Sequence, residues 1–105
     1  MVQFLNTLDE FNATINKGDG KLVVVDFTAT WCPPCQMIKP KFQELSEKET
    51  DVVFVAVDVD ENDGTAAECG ISCMPTFIFF KNGKQVHKIE GADLNSIIAG
   101  VTAHK

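Results

Sequence analysis

Hydrophobic positions along the 105-residue chain alternate between two rhythms, and each change of rhythm marks a new element. Leu8, Phe11 and Ile15 recur at helical spacing behind Thr7 and Glu10, a pair separated as in a capping box. This predicts a helix over about 7–17 that ends at "KGDGK". "LVVVDF" (22–27) then runs apolar without alternating, as a strand covered on both faces does, and predicts a central parallel strand. From Pro33 to about Glu49 the residues Met37, Ile38, Phe42 and Leu45 return to three-to-four spacing. They predict a longer helix, with Pro40 placed to kink it. "DVVFVAVDV" (51–59) is a second buried strand, and the acidic "DENDG" turns the chain into a short helix at about 64–69. "TFIFF", "KNG" and "KQVHKI" read as a hairpin closed by Asn-Gly, and a last helix covers about 93–103.

The predicted order is helix, strand, helix, strand, helix, hairpin, helix. Its βαβ half requires parallel pairing and the hairpin adds antiparallel strands, so the fold class is α/β: a central mixed sheet with helices on both faces. No repeat or low-complexity linker interrupts residues 1–105, which read as one domain. A chain of this length buries roughly 65% of its unfolded surface, enough for a core without staples.

Charge narrows the function. Fifteen acids against nine lysines and no arginine give a net charge of −6, which repels nucleic acid and anionic lipid alike. "MVQFLNTLDEF" carries acids where a signal peptide needs a basic region, and no segment approaches membrane-spanning length; the expected location is the cytosol. The sequon at Asn12 is read as ordinary helix surface. "DVDENDG" superficially matches a calcium loop, but Asp63 stands where glycine is required and Cys69 where the bidentate glutamate belongs. These acids are read as a solvated strand end, with Asp58, Asp60 and Asp63 able to favour basic partners.

Candidate chemistry lies at the four cysteines, Cys32, Cys35, Cys69 and Cys73. Zinc clips, structural disulfides and redox switches all use the two-residue gap between Cys32 and Cys35. Position favours the switch. Cys32 falls where a strand hands over to a helix, so it is expected at the N-cap, with Pro33 and Pro34 in the first turn and Cys35 one turn inward. Helix dipole and free N–H groups stabilise a thiolate there, making Cys32 the nucleophile and the more buried Cys35 the resolving thiol. Closing so short a loop contributes only about 2 kcal/mol of chain entropy, which suits cycling better than bracing. Neither proline can donate to the Cys32 sulfur, which leaves the Cys35 N–H as the main local donor, and Pro33 also stiffens the loop. The rival from another class is a structural zinc module built on all four cysteines; its ligand count is correct, but the interval from Cys35 to Cys69 exceeds that of a zinc ribbon.

"VVVDF", "ATWCPPC", "MIKP", "VDVDEN", "CMPTFIFFKNGK" and "GA" at 91 and 92 resemble, in order and over nearly the whole chain, the thioredoxin family, and the animal-type members most. The resemblance implies the thioredoxin fold and a thiol-disulfide oxidoreductase that reduces protein disulfides. Cys32 would attack the substrate disulfide and Cys35 would resolve the mixed disulfide. It makes Asp26 the proton acceptor assisting Cys35; by residues alone Asp26 is equally an acid at a strand end reaching solvent or capping a turn. It gives Trp31, Pro33, Pro34, Met74, Pro75, Gly91 and Ala92 to the substrate surface, with Met74-Pro75 as a cis-proline loop; the residues alone favour a proline that begins a strand.

Cys69 is read as a small core hydrophobe, with a regulatory pair of Cys69 and Cys73 as the alternative, and Cys73 as an exposed thiol open to oxidation or to a disulfide-linked homodimer of an otherwise monomeric protein. Implied partners are an NADPH-dependent thioredoxin reductase and disulfide-bearing proteins such as peroxiredoxins, ribonucleotide reductase and methionine sulfoxide reductases. No bound cofactor, metal, nucleic acid or membrane is implied, and the expected location is the cytoplasm, with the nucleus as a second one. The family usually reads "WCGPCK"; here Pro33 replaces the glycine and Gln36 the basic residue, which leaves a disulfide oxidase or isomerase of the same fold as the nearer alternative.

Overall fold

The structure is a computed structural model that describes residues 2–17 and 19–105. Its elements are β1 (Gln3–Phe4), α1 (Leu8–Asn16), β2 (Leu22–Thr28), α2 (Pro33–Lys48), β3 (Val53–Asp58), α3 (Asp63–Glu68), β4 (Thr76–Lys81), β5 (Lys84–Glu90) and α4 (Leu94–His104). They form one five-stranded sheet in the order β1-β3-β2-β4-β5. β1, β3 and β2 run parallel, whereas β4 pairs antiparallel with β2 and β5 antiparallel with β4. The mixed sheet is as expected, with two differences. β1 is an additional strand, and β2 is parallel to its neighbour on one side only.

Local signals account for the element ends. Thr7 caps α1 by accepting from the Glu10 N–H, but the Glu10 carboxylate reaches the Asn6 N–H instead of closing the box on Thr7. Gly18 of "KGDGK" lies outside the described residues; Asp19 and Gly20 on its far side both have positive φ, which prevents the helix from continuing. Asn82 and Gly83 have φ of 54° and 79°, the two left-handed residues of a turn that joins strands with the right twist.

The twofold rhythm of β2 sorts its side chains. Val23, Val25 and Phe27 face α1 and the segment after α3, packing with Phe11, Ile15, Ile78 and Phe80. Leu22 and Val24 face α2 and α4, packing with Ile38, Phe42, Phe79 and Ile97. Asp26 continues the second row, so a carboxylate stands where the period demands an apolar residue beneath α2. That helix buries Cys35, Ile38, Phe42 and Leu45. Met37, expected on this face, is instead 74% exposed, because a stripe that begins at Cys35 leaves it about 100° around the helix from Ile38.

β5 is the sheet's long edge. Its side chains are mostly exposed, and a bulge lies opposite it between Phe79 and Phe80.

Candidate active site

The C-terminal end of β2 delivers the chain through Ala29 to Cys32, whose extended backbone (φ −99°, ψ 106°) makes it the N-cap of α2. Its Sγ accepts from the Cys35 N–H at 3.3 Å. Cys32 and Cys35 form a disulfide with Cα atoms 5.2 Å apart, and the two residues are 5% and 1% exposed. The N-cap assignment makes Pro33 the first helical residue and Pro34 the second. N-cap side chains accept from the second and third helical N–H groups, so the donor missing from the cysteine's reach is the one at Pro34. Pro33 deletes an N–H that caps nothing, so of the two prolines it is Pro34 that removes a capping donor from Cys32.

Two loops complete the rim. The Met74–Pro75 peptide bond is cis, and the Met74 carbonyl oxygen lies 3.7 Å from Cys32 Sγ. The Pro75 carbonyl accepts from the Gly91 N–H at 2.9 Å, which fixes the Gly91–Ala92 corner to the proline loop. Gly91 has φ of 113°, a conformation that a side chain would strain. Trp31, next to Cys32 in the chain, is 62% exposed and donates its Nε1–H to Asp60 Oδ2 at 2.8 Å. Pro33 and Pro34 are exposed between the two cysteines, and Pro34, Met37 and Ala92 line one shallow groove, an apolar rim on the side of the α2 N-terminus.

Asp26 is 4% exposed, and no group among the described residues hydrogen-bonds its Oδ1. Burial raises its pKa from the ordinary 3.8 to about 7, against the opposing pull of the Lys39 ammonium. Sequence reasoning missed Lys39, although it follows Cys35 by one helical turn. It also missed the second tie of the active loop: Gln36 Nε2 donates to the Ala29 carbonyl at 2.9 Å, which also accepts from the Cys32 N–H. The Trp31–Asp60 contact had a signal in the parallel register, since Thr28 pairs with Asp58 and the two chains leave the sheet side by side.

Cys69 and Cys73 sit apart from the disulfide pair as free thiols. Cys69 is half-buried against the core shared with α1, and burial, then the neighbouring Glu68, pushes its thiol pKa up while Lys88 lowers it. Cys73 is exposed, with Sγ 3.9 Å from the Thr76 hydroxyl. Among the described residues, no three His, Cys, Asp or Glu side chains gather as a metal site requires, so the four cysteines do not converge on a zinc ion.

The thioredoxin family profile matches residues 2–103. A thioredoxin of Equus caballus is 50% identical over 101 residues, 96% of each chain. The structure of Fasciola hepatica thioredoxin superposes with a TM-score of 0.97 at 40% identity, covering 99% of this chain and 100% of that one. A structure described as the basis of the thiol resolving mechanism in yeast mitochondrial 1-Cys peroxiredoxin via glutathione/thioredoxin systems matches at a TM-score of 0.90 and 37% identity, over 97% of this chain and 94% of that one. With this fold and a closely spaced cysteine pair at the head of α2, the chain belongs to the thioredoxin family of thiol-disulfide oxidoreductases, the protein disulfide reductases that act with reductases and disulfide-bearing substrates.

Proposed function

We propose that residues 1–105 act as one thioredoxin domain in which Cys32 and Cys35 carry the reduction of protein disulfides. The observation that carries this reading is the N-cap position of Cys32, where the helix N-terminus and the Cys35 N–H stabilise negative charge on the more accessible sulfur. In the reduced protein the Cys32 thiolate attacks one sulfur of a substrate disulfide. A bond forms from Cys32 Sγ to that sulfur, the substrate S–S bond breaks, and the other substrate sulfur leaves as a thiolate. Asp26, beneath the helix that bears Cys35, accepts the Cys35 proton. The Cys35 thiolate then attacks Cys32 Sγ, restoring the intramolecular disulfide and releasing the second substrate thiol. A group titrating at about 7 can take up that proton and return it near neutral pH.

Trp31, Pro33, Pro34, Met74, Pro75, Gly91 and Ala92 bind the substrate: the apolar rim covers the segment beside its disulfide, and the Met74 backbone pairs with it in extended form. A thioredoxin reductase drawing on NADPH restores the dithiol. The substrates include peroxiredoxins, ribonucleotide reductase and methionine sulfoxide reductases; the yeast peroxiredoxin structure named above supports the first of these. The protein works in the cytoplasm and nucleus as a monomer, and the exposed Cys73 links it into a covalent dimer under oxidising conditions.

Reduction of insulin disulfides by dithiothreitol, with and without the protein, tests the central step. Cys32→Ser should abolish the acceleration, and Cys35→Ser should accumulate a mixed disulfide at Cys32 detectable by mass spectrometry, both in a Cys69→Ser, Cys73→Ser background. Undiminished turnover in Cys32→Ser would exclude the assignment. Non-reducing gels of the oxidised wild type and Cys73→Ser test the dimer.

A further inference from the structure

Behind α2 lies a cavity of about 360 Å³ that includes none of the residues rimming the disulfide. Its walls come from Phe4 of β1 and the preceding segment, Asp26 of β2, Asp58 of β3 and Lys39, Pro40 and Phe42 of α2, together with the start of the active loop. One edge is held by the Val2 N–H, which donates to Gln43 Oε1 at 2.9 Å and ties the N-terminal strand to the helix. The volume falls in the range of small-ligand sites, and its lining is mainly apolar. The almost wholly buried Asp26 carboxyl group lines it, and Asp26 Oδ1 has no hydrogen-bond partner among the described residues.

We propose that this cavity binds a small, neutral, planar N-heteroaromatic molecule of bicyclic size, which donates a ring N–H to the Asp26 carboxylate and lays its faces against Phe4, Pro40 and Phe42. Each part of that description follows from the lining. A buried acceptor without a partner selects a donor, because satisfying it recovers a large desolvation cost. Two carboxyl groups, Asp26 and Asp58, disfavour an anion, while Lys39 on the same wall disfavours a cation and offers a hydrogen bond to an unprotonated ring nitrogen. Aromatic and proline side chains favour a flat apolar body. Protein substrates and such a ligand therefore occupy different surfaces.

Affinity is linked to pH. Among the described residues, the charged groups lining the cavity with Asp26 are Lys39 from α2 and Asp58 from β3; β1 presents Phe4, the residue before the strand is Val2, and β4 opposes Asp26 with Phe77. An N–H donor prefers the carboxylate over the acid, and Asp26 titrates at about 7. Roughly nine-tenths of it is ionised at pH 8 and one-tenth at pH 6, so binding should weaken about tenfold between them.

Indazole, which stays neutral over this interval and carries adjacent N–H and acceptor nitrogens, is the probe. It is titrated into the oxidised full chain at both pH values, followed by amide chemical shifts and calorimetry. We expect saturable one-site binding, shifts concentrated at Thr28, Lys39 and Ala56, and the tenfold pH effect. Asp26→Ala should bind at least about tenfold more weakly at pH 8 and lose the pH dependence. Phe4→Ser, a change at the exposed rim, should weaken binding while leaving the pH dependence intact. Absence of saturation, pH-independent affinity, undiminished binding to Asp26→Ala, or shifts confined to residues 31–35 would each overturn the proposal.

Discussion

Replacing Asp26 by Asn should stabilise the protein, and by an amount that grows with pH. The unfolded chain releases this proton near 3.8 and the folded chain holds it to about 7. Between those values the folded state binds more protons than the unfolded one, so stability falls as pH rises. Below 3.8 the acid is neutral in both states and burial carries no ionic penalty. Above 7 it is ionised in both, and the fold bears the full cost of a desolvated carboxylate, about 4 kcal/mol at 1.36 kcal/mol for each pH unit between the two values. At pH 4 the same arithmetic leaves only about 0.5 kcal/mol. Any constant effect of the Asn amide shifts both measurements equally, so the diagnostic is the difference between them. Guanidinium unfolding of oxidised wild type and Asp26→Asn at pH 4, 6 and 8 reads it directly, and a gain this large should raise the melting temperature at pH 8 by more than about 15 °C. An equal gain at pH 4 and pH 8 would refute the reasoning. The same variant should slow disulfide reduction, since it removes the proton acceptor proposed above; on that reading the buried charge is a cost to the fold borne for chemistry.

Three further outcomes follow from the described geometry. In reduced protein lacking Cys69 and Cys73, Pro34→Ala should lower the Cys32 thiol pKa more than Pro33→Ala does, because only the former restores an N–H within reach of an N-cap sulfur; ultraviolet thiolate titration compares them, and equal shifts would contradict the capping assignment. Gly100→Ala should destabilise by about 1–3 kcal/mol in denaturant unfolding, since its Cβ would lie 2.8 Å from Phe79 Cζ and 3.0 Å from His87 Cδ2 and force α4 off the sheet. Gly83→Ala should cost about 1 kcal/mol or more, measured by thermal unfolding, because φ of 79° strains any side chain in the Asn-Gly turn.

Much of this was legible in the chain because the signals were periodic. β2 and β3 showed as continuous apolar runs, and Asn82-Gly83 named its own turn. β1 could not be seen: two residues, Gln3 and Phe4, are too few to carry a rhythm, and both are exposed. Met37 and Ile38 are adjacent, so apolar character alone could not say which faces inward. Adding Cys35 to the stripe would have settled it, since 35, 38, 42 and 45 share a face and 37 does not. At the site, the cysteines and Asp26 stood out by type and position. The contacts that hold them did not, because Gln36 to Ala29 and Trp31 to Asp60 join residues whose neighbourhood is created by folding.

The exposed edge formed by β5 bears on what the protein avoids. A row of unpaired backbone groups invites another chain to add a strand, a hazard for any protein that handles extended, partly unfolded partners. Lys84 and Lys88 place charge along that edge, and the bulge beside Phe79 and Phe80 breaks its regular register. At the opposite side β1 offers only two residues. Both borders of the sheet are thus poor templates for indiscriminate strand addition and aggregation, which leaves the Met74 backbone, beside the Cys32 sulfur, as the main-chain group proposed above to meet an extended partner.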